Sequence, residues 1–347
     1  MAYSTIIKPN TQMNPVLYTG NGGTQSITGV NFQPDFTWIK DRDSTAVHYL
    51  FNAVSGATKF TNSDQNYAEQ TNTQSLKSFD TDGFTLGTMT GANNNTNNFA
   101  SWNWKAGGSP SSNTDGSTTS SVSANTTNGF SIVKYTGNGS AGATIGHGLG
   151  STPSAIFVKG LSAISNWSSY HSVLGNTGYM RLDGTGAFAT ASTYWNNTSP
   201  TSSVFTAGTT GNINANGNDF VAYCFAEKKG FSKFGSYVGN GNADGTFIYT
   251  GFKPAYFVIK RTDATENWYC TDIKRNPINP VDNELLLLNS DTATITTSYP
   301  VDFLSNGFKI RGNNNITNAS SGTYIYMAFA ENPLVANTSG GIPTTAR

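Results

Sequence analysis

Charge is scarce in this chain. Asp, Glu, Lys and Arg make up 12% of it, about half the share usual in a globular domain, and 20 basic residues balance 20 acidic ones. With no basic stripe, nucleic-acid binding by counterion release has no electrostatic footprint. Long apolar runs are missing too, and nothing approaches the ~18 residues of a membrane span. Residues 1–15 lack the basic start and apolar centre of a secretory leader, so the expected place of synthesis is a cytoplasm. Two cysteines, Cys224 and Cys270, are too few and too far apart for a disulfide framework, and both are expected to be free thiols. Cys224 stands on a repeated strand where its counterparts are Asn103 and Ala328, so the position does not demand sulfur.

Catalytic groups are equally sparse. His48, His147 and His171 fall at non-equivalent places, none with a partner at metal or triad spacing, and no Gly-x-Ser-x-Gly elbow occurs. The five glutamates, Glu69, Glu227, Glu266, Glu284 and Glu331, form no Glu-x-Asp-x-x-Glu string, whereas glycoside hydrolysis needs two carboxylates across one cleft. Glu227 and Glu331 recur at one place in two repeats, which favours a structural role. No catalytic residue and no cofactor are expected.

What the chain does have is a threefold repeat with the period of a domain. A Tyr-x-Gly-Asn-Gly pattern starts at Tyr18, Tyr135 and Tyr237, offsets of 117 and 102. Apolar runs ending in Lys40, Lys159 and Lys260 follow at offsets of 119 and 101, and aromatic strands starting at Phe99, Phe220 and Tyr324 close each unit at offsets of 121 and 104. Units of roughly 100 residues can each bury a core of their own.

Apolar residues come in short runs between Gly, Asn, Ser, Thr and Pro clusters, which predicts strands. The runs 156–158 and 257–259 suit a central strand covered on both sides, while Pro34, Pro153 and Pro254 belong to the connections entering it. In the closing strands Trp102 and Trp104, Tyr223 and Phe225, and Met327 and Phe329 fall on one face, which is therefore assigned to the core. The expected fold class is all-β: three consecutive antiparallel β-sandwiches of jelly-roll or lectin-like type. The expected divisions are an N-terminal docking arm at 1–15, unit 1 at 16–105, a flexible linker at 106–125, unit 2 at 126–229, unit 3 at 230–334 and a C-terminal tail at 335–347. The linker assignment rests on its Gly, Ser and Thr content. Units 2 and 3, with no linker between them, should pack as a rigid pair.

Two local patterns point toward ligands. Asn240, Asn242 and Asp244, with Gly245 after them, resemble the first half of a calcium loop, but the twelfth position is Gly251 and not an acid, so a turn is the preferred reading and no metal is expected. Tyr194, Trp195, Asn196 and Asn197 form a polar aromatic loop that the sister units lack. Aromatics beside amides are a usual means of holding a sugar ring, and the competing reading has Trp195 capping the unit 2 core.

Taken together, the Tyr-x-Gly-Asn-Gly openings, the loop 146–150, Asn166 with Trp167, and the stretches 223–228, 231–235 and 326–332 resemble a family of repeat-containing virion surface proteins of marine tailed bacteriophages and cyanophages, often described as fibre-like or lectin-like. The resemblance runs from Ala2 to Arg347. It implies a non-enzymatic structural protein on the virion surface, in a tail fibre or tail-associated spike, that contacts a host glycan or protein. Capsid-surface decoration or a head fibre is the alternative, and a polysaccharide-degrading enzyme on the same fold a lesser one. Implied partners are other virion proteins and the host surface. A homotrimer is expected by analogy with other phage fibres.

Overall fold

The computed structural model describes residues 4–279, 284–296 and 300–333. It is nearly all β, with 44% strand against 6% helix, in several antiparallel sheets. In every unit the closing strand lies between the opening and central strands of one large sheet. In unit 1, Asn98–Trp104 pairs with Met13–Thr19 on one side and Phe36–Asp41 on the other. Asp219–Phe225 and Thr323–Pro333 do the same in units 2 and 3. The large sheets have six, eight and six strands, and a small sheet of three, two and three strands lies against each.

Alternation along the closing strand sends its two faces to two different cores. One face goes into the unit's own sandwich: Phe99 in unit 1, Phe220, Ala222 and Cys224 in unit 2, and Tyr324, Tyr326 and Ala328 in unit 3. The other face carries Trp102 and Trp104, Tyr223 and Phe225, and Met327 and Phe329 into a single cluster shared by all three units. The face with the large side chains is buried as expected, but between units and not inside each one. At its centre, Trp104, Phe225 and Phe329 form a triangle with ring centroids 6.3, 5.6 and 5.8 Å apart. One residue from each closing strand, at matching positions, marks a pseudo-threefold axis. The three units form a ring, which replaces the expected rigid pair joined to a tethered third.

Two segments set apart from the units, the flexible linker and the N-terminal docking arm, are built in. Ser120–Asn125 pairs along its whole length with Phe130–Thr136, and Ser111–Asn113 adds a further strand outside it. Residues 106–125 are therefore the edge of the unit 2 sheet, not a loose linker. Their Ser and Thr content misled because an edge strand facing water on one side tolerates hydroxyls. Asp35 holds the start of the segment, its Oδ2 accepting from Ala106 N at 2.7 Å. The described part of the N-terminal arm is packed down too. Ile6 and Met13 belong to the shared core, and Met13–Pro15 are paired in the unit 1 sheet. The tail at 335–347 lies outside the described residues.

The repeated opening pattern is a clamped turn. Asn93, Asn214 and Asn318 sit in one-turn helices just before the closing strands, and each Oδ1 accepts from the backbone N–H of the turn asparagine, Asn21, Asn138 or Asn240, at 2.9–3.0 Å. Their amides donate back to Gly87, Gly208 and Gly312 carbonyls at 2.8–2.9 Å. Gly20, Gly137 and Gly239 are needed for close approach, since a Cβ at any of them would lie within 2.5 Å of a carbonyl oxygen of that helix end. The tyrosine at the head of each pattern donates its hydroxyl to the same helix, at Ala92, Ile213 or Thr317.

Candidate functional site

Three buried lysines, two of the three histidines and the buried Asp272 bond across the seams between units. Lys40, Lys159 and Lys260 end the three central strands and are fully buried. Each Nζ donates to a carbonyl of its own unit and to one of the next: Lys40 to Asp291 at 3.2 Å, Lys159 to Asn66 at 3.2 Å and Lys260 to Thr185 at 3.0 Å. The connection runs from unit 1 to 3, from 2 to 1 and from 3 to 2, so the ring closes. Backbone pairs repeat it, with Ala46, Ser165 and Glu266 N–H groups donating to the same three carbonyls at 2.9–3.0 Å. Burial pushes all three ammonium groups down to about 8, because a desolvated charge is disfavoured even when it is hydrogen-bonded.

A second position closes the ring in the same sense. Trp167 Nε1 donates to Asn62 O at 2.7 Å and Trp268 Nε1 to Arg181 O at 2.8 Å. In unit 1 that place belongs to His48, whose Nε2 lies 3.1 Å from Leu287 O. Its Nδ1 accepts from the Trp38 indole at 2.8 Å. Since an indole can only donate, His48 is held as the neutral Nε2–H tautomer. Burial, and then the nearby Lys40, push its pKa well below the ordinary value. The counterparts of Trp38 are Phe157 and Val258, which bring no second donor. A histidine replaces tryptophan only where a donor has to be answered.

Four residues on, at the far ends of the same strands, Asn52, His171 and Asp272 make a further set of contacts between units. Asn52 donates to the Tyr223 hydroxyl at 3.1 Å, His171 Nε2 lies 3.3 Å from Tyr326 O, and Asp272 accepts from Trp102 Nε1 at 3.0 Å. Asp272 also holds the fully buried Arg275 at 2.6 Å, whose guanidinium lies 5.5 Å from the Trp102 ring centroid. Burial lowers His171 to about 4 and raises Asp64 and Asp183 to about 6. Unit 3 has Asn289 in the corresponding place, its Oδ1 accepting from Trp268 N at 2.8 Å as Asp64 does from His48 N at 3.0 Å.

The expected ligand positions fare differently. Trp195 is 1% exposed and packs edge to face on Tyr170 in the unit 2 core. Tyr194 is also buried, stacked on Tyr179 with its hydroxyl accepting from Asn212. Neither ring has a face open to a sugar, so the capping reading replaces the sugar-stacking one, and only Asn196 and Asn197 reach the surface. At the calcium-like turn, Asn240 Oδ1 accepts from Asn242 N and from Asn318 Nδ2, while Asp244 is bound by Lys309 at 2.5 Å and Arg311 at 3.5 Å. These oxygens are taken up by the turn and its cations. Among the described residues no group of three His, Cys, Asp or Glu could hold a metal. His147 accepts from Leu149 N at 3.2 Å within its loop. Cys224 and Cys270 are free and buried. Glu227 and Glu331 each bind a lysine at 2.7 Å, Lys233 and Lys253.

A model for a domain of unknown function, DUF7483, matches residues 8–333. The chain belongs to that family. One match takes in all three units and the segment between units 1 and 2, so the family's domain is the whole ring and not a single sandwich. No curated protein and no solved structure matches the chain. Within the shared core of this DUF7483 ring, a void of about 20 Å³ among Trp38, Trp104, Trp167, Tyr223 and Met327 has room for a water at most, and a second of about 10 Å³ lies beside Phe157, Trp268 and Met327. A shallow depression of about 400 Å³ on unit 2, lined by hydroxyls with Lys134 and Asp219, is open to solvent. Sequence reasoning missed the seam lysines because it used them only as markers of the repeat. A lysine ending a run buried on both sides was itself the signal.

Proposed function

We propose that this chain is a non-enzymatic structural protein of a phage virion surface, in a tail fibre or tail-associated spike that contacts the host. The reading rests on the resemblance described above. The observation that carries it furthest is the closed ring. Six buried titratable groups, Lys40, Lys159, Lys260, His48, His171 and Asp64, and the half-buried Asp183 face other parts of the scaffold, and the lysines and the two histidines tie one unit to the next. A rigid head of three similar sandwiches suits display, because alike surfaces repeat around one axis and can bear on a target together. Capsid-surface decoration remains the second reading, as it makes the same use of a rigid head.

The experiment is antibody labelling of particles viewed by electron microscopy, together with host adsorption in the presence of purified protein. Label on the tail and competition for adsorption support the first reading. Label on the head favours the second, and no label on particles rejects both. Release of reducing sugar from host polysaccharide would overturn the non-enzymatic assignment.

A further inference from the structure

We propose that the edge strand Phe247–Tyr249 of unit 3 docks an extended, uncharged segment of a different polypeptide chain, added as one more strand to the small sheet. The sister units supply the comparison. In unit 2 the edge strand Ala143–Gly146 pairs Ile145 with Phe205, in unit 3 Ile248 pairs with Phe308, and in unit 1 Ile27 pairs with Phe84. Phe247 therefore stands where the others have Thr144 and Ser26, and Tyr249 where they have Gly146 and Thr28.

Unit 2 covers this edge with its own chain. Thr118 bridges to Ile145 in parallel, its N–H donating to Thr144 O at 2.9 Å. Ser117 exchanges two more bonds with Thr144, at 2.8 and 2.9 Å, and Ser120 Oγ donates to Gly146 O at 2.8 Å. Unit 1 leaves the edge open but presents the exposed, polar Ser26 and Thr28 to water. Among the described residues, unit 3 does neither. Phe247 is 43% exposed and Tyr249 54%, side by side on one face of an edge strand.

The backbone is arranged to receive a strand there. Thr246 O accepts from Ile310 N at 3.1 Å and Thr250 N donates to Asn306 O at 3.0 Å, so by antiparallel alternation the peptide groups of Phe247 and Tyr249 point away from the sheet. The Thr144 and Gly146 groups at the same places are the ones that residues 117–120 satisfy. An open edge with apolar side chains is a pairing site that proteins otherwise blunt, and strand addition is a common way to bind an extended segment.

Local charge is balanced, with Asp244 against Lys309 and Arg311, and Arg311 against Asp302, which suits an uncharged partner with small or apolar residues at alternate positions. Two copies meeting across a twofold axis would pair antiparallel, whereas the cover in unit 2 runs parallel. The occupant is therefore assigned to another protein, independently of whether the ring serves host attachment.

The test uses the full chain and a synthetic peptide of alternating valine and threonine with a lysine at each end and blocked termini. The expected result is saturable one-to-one binding by calorimetry, weakened at least tenfold in the Phe247→Ser/Tyr249→Thr double variant. That variant copies the polar pattern of unit 1 and should keep the wild-type melting temperature. If it fails to fold, the same peptide with alternate amides N-methylated decides on the wild-type chain, since it keeps the side chains and loses the ladder. No binding, or equal binding of the N-methylated peptide, overturns the proposal. So does wild-type dimerisation that the double variant abolishes, which would give the edge to a second copy.

Discussion

Trp104 of the first unit and Phe329 of the third meet edge to face, with centroids 5.6 Å apart and planes at 76°. Each also touches Phe225 of the second unit, so three rings from three closing strands hold the axis of the ring. Phe329→Ala is expected to cost about 3–5 kcal/mol as a large-to-small change in a packed core. The loss should appear in one cooperative transition for the whole chain, because the side chain serves the shared core. Calorimetry showing units 1 and 2 melting at the wild-type temperature would refute this.

The Trp38–His48 pair should behave as a unit. His48→Trp alone leaves the Trp38 indole without an acceptor, and Trp38→Phe alone leaves His48 Nδ1 unanswered. Trp38→Phe with His48→Trp recreates the Phe157 and Trp167 arrangement of unit 2. Each single change is expected to destabilise by about 1–3 kcal/mol through an unpaired buried group, and the double by less than their sum. Urea unfolding of the four proteins in the cycle measures the coupling, and strict additivity would count against it.

Acid should loosen the ring through His171. Its folded pKa, lowered to about 4 by burial, lies below the unfolded value of about 6.5. The unfolded state therefore takes up the proton first, and stability falls as pH drops from about 6.5 toward 4. His171→Asn copies Asn52 of unit 1, which donates from the same place without titrating. The melting temperature of this variant should fall less steeply with pH over that window than that of wild type.

Asp64 works in the opposite direction. Burial raises its folded pKa to about 6, above an unfolded value of about 3.9, so its contribution is fullest below about pH 4 and is lost as pH rises through 6. Asp64→Asn copies Asn289 and removes a disfavoured charge. It should raise the melting temperature at pH 7.5 and change it little or adversely at pH 4. A larger gain at pH 4 than at pH 7.5 would contradict the assignment.

The analogy with phage fibres implies a homotrimer, and the ring alters its basis. Cyclic contacts that close leave no matching surface open for a further copy, and here they close within one chain. Sedimentation at micromolar concentration is expected to give a monomer. A stable trimer would show that other surfaces assemble it.

The repeat, its offsets, the strands and the all-β class were legible because period and turn chemistry are local. A Gly-Asn-Gly after a tyrosine and a two-residue alternation leave marks within a few positions. The alternation of Ile325, Met327 and Phe329 likewise showed that one face of the closing strand is buried.

Which core receives that face was not legible, since alternation tells inside from outside but does not name the partner. Trp104, Phe225 and Phe329 had to be brought together before one shared core could be told from three separate ones. The same limit hid the strand in residues 106–125, whose hydroxyl-rich sequence pairs only because Phe130–Thr136 offers it an edge. It also left Trp195 between two readings, since its edge-to-face partner Tyr170 lies outside its own loop. Sequence by itself determined the units and their turns, where the deciding contacts are short-range. Only the tertiary structure decided that the units close into a ring, because its lysine, histidine and tryptophan bonds join residues that the chain keeps far apart.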